Sequence, residues 1–511
     1  MEDNTALKEF IRGGGATFIT LAIASILSFF YKLILARTYA PSEYGLFEML
    51  ITILGIITII GAFGLNGGLN RFIPLYKDKK NEYIRGYIKT VFTIQIITSI
   101  LASVLLILCA KNITLFFNFP EIFTKMLYII AIIIPFRIFN AVFLLILMAY
   151  KKVLVAKIGM DVIHKIVLIL GAFFLLIFNL KIFYIAYVLL LSYIIPLIYY
   201  LFLIIPLSKK FKTKTKKYEI KRWFKYSLPL FFAGILGFLL NWTDNFVIAK
   251  FLTQEDLGIY GISFSIALNL FMGSRLFGGI FMPIMTKYYE ENKIQFKKIF
   301  QIIRNWTVLS SLTIGSIFIL YSEKVLLFLF GEEYIGGNYS LKILTFFFLL
   351  TNYFYFSSNL LLLEEKSKKI FYGDLITLIL NLIITIYLVN QIGIIGAAIG
   401  TGFSYFILRF YFHLESKRQI IIKHDIKHII KCLFLTFSGG IISYIITSQI
   451  FNYLNIHFIF FIALAGIIYS IILIVGIRYL KILKKQDMLI IEMTEKYSRL
   501  NLNLLKKILY R

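Results

Sequence analysis

The chain has 511 residues, 59% of them hydrophobic and only 16% charged, with a mean hydropathy of +0.84 and a formal net charge of +28. Soluble domains carry roughly 25% charged residues and a run of about 20 apolar residues spans a bilayer as a helix, so this composition excludes a soluble protein. The surplus of 54 Lys and Arg over 26 Asp and Glu would point to nucleic acid in a soluble chain, but here the charges sit in short connectors between apolar runs, the pattern of basic cytoplasmic loops.

The apolar runs predict an all-α integral membrane fold of about fourteen transmembrane helices, over residues 13–36, 44–70, 86–110, 123–149, 154–178, 182–206, 223–250, 258–285, 302–321, 340–363, 370–390, 394–415, 428–450 and 456–480. The first run follows Glu2, Asp3 and Glu9 and has no small-residue cleavage site, so it reads as a permanent helix rather than a signal peptide. Residues 322–333 read as a short interfacial helix after the ninth span. From Met488 to Leu509 apolar and charged positions alternate as in an amphipathic surface helix. Cys109 and Cys432 fall in different helices near opposite faces, so neither a disulfide nor a zinc site is expected.

Loop charges orient the bundle. With the N-terminus in the cytoplasm, 41 of the 54 Lys and Arg lie in cytoplasmic segments, 7 in external ones and 6 within helices. That asymmetry places both termini in the cytoplasm. The chain also repeats itself. Leu35-Ala36-Arg37 through Glu43-Tyr44-Gly45-Leu46-Phe47 matches Ile248-Ala249-Lys250 through Asp256-Leu257-Gly258-Ile259-Tyr260 at an offset of 213 residues, which also pairs Asp161 with Asp374. Phe72-Ile73-Pro74 pairs with Phe281-Met282-Pro283 after a small gap. Each repeat holds six helices, an even number, so the two halves share one orientation and are related by a pseudo-twofold along the membrane normal. The expected organisation is an N-terminal half (1–206), a basic cytoplasmic linker (207–222), a C-terminal half (223–420), two extra helices (421–480) and a basic tail (481–511).

Ionisable residues inside the membrane are functional candidates by default. Lys32, near the end of the first helix, has Asn245 as its repeat mate, beside Asp244 in the seventh. Lys32 either serves a site or snorkels to the interface along its stem; Asp244 is too short to do the second. Arg275 lies among Gly273, Ser274, Gly278 and Gly279, which either admit neighbouring helices or leave space for a ligand. Its guanidinium suits bidentate phosphate recognition. Arg137 follows Pro135 and either meets substrate or satisfies a carbonyl freed by the proline. Asn66 and Asn70 end the second helix in a glycine-rich turn and either bond a sugar or cap the helix; Asn241 and Asn269 pose a weaker form of that choice. Asp161, His164 and Lys165 share one helix face, as a proton-coupled site or as an interfacial salt bridge. His424 and His428 read as a cytosolic face rather than a metal site. The phosphate loop G-x-x-x-x-G-K-[ST], H-E-x-x-H and G-x-S-x-G are all absent, so neither an enzyme nor an ATP motor is expected, and no cofactor.

Gly13-Gly14-Gly15 with Ser28-Phe29-Phe30-Tyr31-Lys32-Leu33-Ile34-Leu35-Ala36-Arg37, Pro41-Ser42-Glu43-Tyr44-Gly45-Leu46-Phe47, and Gly64-Leu65 through Arg71-Phe72-Ile73-Pro74 resemble the polysaccharide-transport flippases of the multidrug/oligosaccharidyl-lipid/polysaccharide (MOP) exporter superfamily. The resemblance implies a MATE-like fold of two six-helix halves plus two helices. It implies a transporter of the cell membrane that flips polyprenyl-pyrophosphate-linked oligosaccharide, such as an O-antigen or capsule repeat unit, to the outer leaflet by alternating access. Lys32, Arg275 and Arg137 would hold the pyrophosphate and acidic sugars, Asp244 with Asn245 would couple or gate, and a proton or sodium gradient would be the coupling source. Implied partners are the lipid-linked saccharide, membrane lipids, and a glycan polymerase or glycosyltransferases, with no nucleic acid. A cation-coupled multidrug-type antiporter or a lipid II flippase on the same fold is the alternative. A membrane-embedded polymerase needs large outer loops or catalytic carboxylates, and the outer loops here are short.

Overall fold

The computed structural model describes residues 2–79, 81–208, 220–417, 425–454, 458–483 and 487. Most of the expected basic linker, the amphipathic tail and His424 lie outside the described residues. Among the described residues there is no strand, and 13 helical stretches are long and apolar enough to cross a membrane. A fourteenth helix of 22 residues contains the shorter apolar stretch Ala463–Tyr479. Helices answer the need of a chain in lipid to satisfy every backbone N–H and C=O internally.

In chain order the first half contains α1 (Glu2–Thr38), α2 (Pro41–Ala62), α3 (Leu65–Lys79), α4 (Asn81–Phe116), α5 (Glu121–Ala149), α6 (Val153–Lys157), a π-helical segment (Ile158–Ile163), α7 (His164–Ile177) and α8 (Ile185–Ser208). The second half contains α9 (Ile220–Phe251), α10 (Gln254–Ala267), α11 (Met272–Glu291), α12 (Lys293–Leu320), α13 (Ser322–Leu329), α14 (Asn338–Tyr353), α15 (Ser357–Leu363), α16 (Ser367–Ile392) and α17 (Ile394–Lys417). The additional pair is α18 (Ile426–Leu454) and α19 (Phe458–Tyr479). The short helix expected after the ninth span is α13.

Several expected helices are interrupted. The second breaks at Phe63 and Gly64, both with positive φ (50° and 68°). Carbonyls freed at the break are met from α4, where Thr98 donates to Gly61 O at 2.6 Å and Gln95 Nε2 to Ala62 O at 3.3 Å. The eighth is split by a 3-10 turn at Leu268–Phe271, and the tenth between α14 and α15. The fifth carries the π segment.

Packing divides the chain into two compact units, residues 16–261 and residues 262 onward with those up to 15. In the first, α4 packs on α5, α5 on α8, and α2 on both α4 and α9. Its aromatic core joins Phe72, Tyr76, Tyr87 and Trp223, the indole donating to Tyr76 Oη at 2.9 Å. Leu101, Leu105 and Leu108 of α4 stay 59–74% exposed, an apolar row suited to lipid. In the second unit α16 and α14 pack on α17. The extra pair is fastened to α12: Cys432, Leu435, Tyr469 and Leu473 cluster with Val308, Leu309 and Leu312, and Ser316 Oγ lies 2.6 Å from Tyr469 Oη. Interhelical hydroxyl bonds of this kind are a common adhesive between helices in lipid. Cys109 and Cys432 are free.

Within residues 16–261 the repeat shows itself as a reciprocal crossing. A side-chain carbon at Gly45 would collide with Gln254 O, and one at Gly258 with Pro41 O. At an offset of 213 residues, Pro41 corresponds to Gln254 and Gly45 to Gly258. The starts of α2 and α10 thus meet backbone to backbone through symmetry-equivalent glycines.

Candidate substrate and coupling site

Beside this crossing lies a carboxylate that the sequence reading passed over. Glu48, 3% exposed, accepts from Lys32 Nζ at 3.0 Å and from Tyr44 Oη at 2.9 Å on a single oxygen, Oε1. It packs over Gly261, where a side-chain carbon would lie 2.9 Å from Glu48 Cγ. Lys32 therefore pairs with Glu48 rather than with Asp244. The signal was available: Glu48 sits inside an apolar run, four residues after Tyr44 on the same helix face.

Asp244 is 2% exposed. Its Oδ2 accepts from Tyr260 Oη at 2.6 Å and its Oδ1 from the Asn245 N–H at 3.0 Å. Asn245, also buried, donates to Thr52 Oγ1 at 2.9 Å, and Thr52 donates to Glu48 O at 2.8 Å. Asn245 and Thr52 thus link the neighbour of Asp244 to the Glu48 main-chain carbonyl, and the two carboxylates lie within electrostatic reach of each other.

From Glu48 the polar path continues into the first repeat. Tyr31 is buried, stacks edge-on against Phe47 at 5.9 Å, and lies within electrostatic reach of Glu48 and Tyr193. Among the described residues its hydroxyl has no hydrogen-bond partner. Tyr193 is a platform for two groups, with Arg137 Cζ 5.8 Å from its ring and the His164 ring at 4.6 Å. His164 is fixed by Nδ1 against Ser192 O at 2.8 Å. Lys165, next in sequence, lies within electrostatic reach of Lys32, Arg137 and Asp161. Three cations from α1, α5 and α7 therefore converge. Among the described residues neither Arg137 nor Lys165 has an ion-pair partner within 4 Å; Asp161 is bound instead by Lys157 at 3.5 Å. Part-buried cations without a counter-ion are costly in a membrane-spanning segment, and an anionic ligand would relieve that cost.

The other expected site residues are placed differently. Asn66 Oδ1 accepts from Gln95 Nε2 at 3.0 Å, tying the α2–α3 break to α4. Asn70 is exposed. Asn241, also exposed, donates to Gly237 O at 2.5 Å. Asn269 donates to Ser265 O and Ile266 O at 3.1 and 3.2 Å, within its own turn. Arg275 belongs to the other compact unit, where it is exposed and has no hydrogen-bond or ion-pair partner among the described residues. The small residues preceding it serve helix packing: Gly273 admits Ser310, and Ser274 donates to Asn352 Oδ1. No group of His, Cys, Asp and Glu suited to a metal occurs among the described residues.

Residues 34–338, more than half of the chain, match the family described as polysaccharide biosynthesis protein. The chain is 25% identical over 398 residues to the probable low-salt glycan biosynthesis flippase Agl15 of Haloferax volcanii, covering 76% of this chain and 80% of that protein. It is 26% identical over 208 residues to the capsular polysaccharide biosynthesis protein CapF of Staphylococcus aureus, 39% of this chain and 51% of that one. In fold it is similar to the lipid II flippase MurJ (TM-score 0.69, 17% identity, 90% of this chain and 98% of that chain). It is also similar to a multidrug resistance MATE family transporter of the MOP superfamily (TM-score 0.62, 13% identity, 79% of this chain and 98% of that chain). The helical bundle is thus a MATE- and MurJ-like fold, and the chain belongs to the polysaccharide biosynthesis protein family.

Proposed function

We propose that this transporter carries polyprenyl-pyrophosphate-linked oligosaccharide, a repeat unit of a surface glycan, from the cytoplasmic to the outer leaflet of the cell membrane. The observation that carries the reading is the convergence of Lys32, Arg137 and Lys165, two of them without a salt-bridge partner among the described residues. A pyrophosphate is the part of such a cargo that cannot cross a bilayer core unaided, and a guanidinium beside two ammonium groups suits it. The polyprenyl tail stays in lipid. Alternating access between two repeats needs no nucleotide-hydrolysing domain. Both termini face the cytoplasm in this reading, as the 41 to 7 asymmetry of loop cations implies. A drug-cation antiporter calls for the opposite polarity at the site, which the three cations disfavour.

The deciding experiment reconstitutes the protein in vesicles with a fluorescent polyprenyl-pyrophosphate disaccharide and follows loss of protection from a membrane-impermeant quencher. Wild type should flip the probe, and the Arg137→Ala, Lys165→Ala double variant should not. Equal flipping by both would reject the site. Asp244, held by neutral donors next to Glu48, is the proposed coupling carboxylate. Wild-type flipping should respond to a proton or sodium gradient and that of Asp244→Asn should not; an unaltered response removes the assignment.

A further inference from the structure

The π segment Ile158–Ile163 interrupts the fifth span immediately before His164 and Lys165. A π turn widens the helix by one residue and is unusual enough to need a cause. The cause here is a side chain inserted into the hydrogen-bond ladder. In a regular helix the Met160 N–H would donate to Ala156 O. Here the Tyr200 hydroxyl takes that acceptor, donating to Ala156 O at 2.6 Å, with the Met160 N–H within its electrostatic reach. Tyr199 donates to the adjacent Val155 O at 2.9 Å. Tyr200 is 0% exposed, and its ring lies where a side chain at Gly159 would be.

The repeat supplies an internal control. In the second half Gly373 is overlaid in the same way, a side-chain carbon there lying 2.6 Å from Phe412 Cε1. Phe412 has no hydroxyl to insert; Tyr411, whose ring lies 3.0 Å from the same position, has one, yet α16 runs as unbroken α-helix from Ser367 to Ile392. The spacing differs in step. The first half reads Gly159-Met160-Asp161 where the second reads Gly373-Asp374. One half thus has the extra residue with a hydroxyl bonded beside it, and the other has no extra residue. Where Lys165 joins the cations, the repeat mate at the 213-residue offset is Leu378.

We propose that the Tyr200 hydroxyl, wedged between Ala156 and Met160, is a positioning residue for the anion site, holding the π register that aims Lys165 at Lys32 and Arg137. Without the wedge, Met160 becomes an ordinary helical residue, and everything after it turns by about 100° relative to what precedes it. The proposal rests on the anion-site reading above for its function, but the positioning can be tested without substrate. In protein with Cys109 and Cys432 replaced by alanine, Lys165→Cys is modified with an anionic and with a cationic methanethiosulfonate reagent. The field of Lys32 and Arg137 should favour the anionic reagent by about tenfold, the lower end of electrostatic focusing in a charged site. Adding Tyr200→Phe should bring the ratio close to one, and deleting Met160 as well should restore it, because the shortened segment then has the spacing of the second repeat. An unchanged ratio in Tyr200→Phe, or no recovery on deletion of Met160, overturns the positioning role. Melting temperature and gel-filtration profile identify variants that fail to fold. Should Tyr200→Phe be among them, recovery of fold and ratio by the deletion supports the wedge, and failure to recover overturns it. Binding of farnesyl pyrophosphate separates the two ideas: Lys165→Ala should weaken it at least about tenfold, the loss of one charge-assisted hydrogen bond. Unweakened binding with the reagent ratios as expected would overturn the anion role of Lys165 and leave the wedge standing.

Discussion

The fifth span and its repeat mate share an origin in the sequence but not a geometry. Both begin near a glycine under an aromatic ring and carry an aspartate, Asp161 and Asp374. One is wedged into a π turn by Tyr200 and followed by His164 and Lys165; the other is regular and continues with Thr377 and Leu378. A duplicated bundle need not duplicate its chemistry. In the proposed wedge, one hydroxyl and one inserted residue aim a lysine in one half alone.

The largest expected effect tests that asymmetry directly. Lys165→Ala should reduce flipping at least about tenfold, as loss of a charge-assisted hydrogen bond predicts, whereas Leu378→Ala at the mate should leave transport nearly intact; equal losses in the vesicle assay would show that the halves share the site. Next comes packing around the two glycines. Gly159→Ala and Gly373→Ala both force a methyl against a buried ring and should cost about 1–3 kcal/mol, read as lowered melting temperatures. Only Gly159→Ala should also disturb the reagent ratio at position 165. Glu48→Ala removes the carboxylate from Lys32, whose side chain is 32% exposed. Glu48 Oε1 is also the acceptor of the buried Tyr44 hydroxyl, so the loss should be about 1–3 kcal/mol, visible as a fall in melting temperature, while pyrophosphate binding should strengthen because the cation is released. Weaker binding would mean that Glu48 helps the site rather than competes with the ligand. The smallest effect is expected for Phe412→Tyr. It adds a hydroxyl to the second half without an inserted residue to receive it, so hydrogen exchange at Gly373 and Asp374 should remain slow, as in wild type.

The membrane class, the repeat and most span boundaries were legible in the sequence because they follow from hydropathy and loop charge, which are local quantities. Helix interruptions were less so. The α2–α3 break depends on Gln95 and Thr98 reaching across from α4, and no pattern within residues 44–70 announces that. Lys32, Arg137, Asp244 and Asn245 stood out as polar residues in apolar runs. Which charges would meet was not readable, because pairing is a matter of three-dimensional distance: Lys32 found Glu48 at 3.0 Å, and Lys165, read only with Asp161 and His164 on its own helix, lies within reach of α1 and α5 as well. The glycines near Arg275 were ambiguous between packing and ligand space, and Gly273 is occupied by packing against Ser310. The π segment did leave a trace, the one-residue difference between Gly159-Met160-Asp161 and Gly373-Asp374, but only alignment of the two halves at that point exposes it.

The glycine crossing at the starts of α2 and α10 has a consequence for substitution. Residue 45 meets residue 254 while residue 258 meets residue 41, and the numbers exchange under the repeat. An arrangement in which the same patch serves both sides is isologous, the contact that two identical subunits make about a twofold axis. Within a single polypeptide the crossing thus has the reciprocal geometry of such a contact. Its two glycines are therefore one constraint written twice, and a larger residue at either is answered only by a change on the opposite helix.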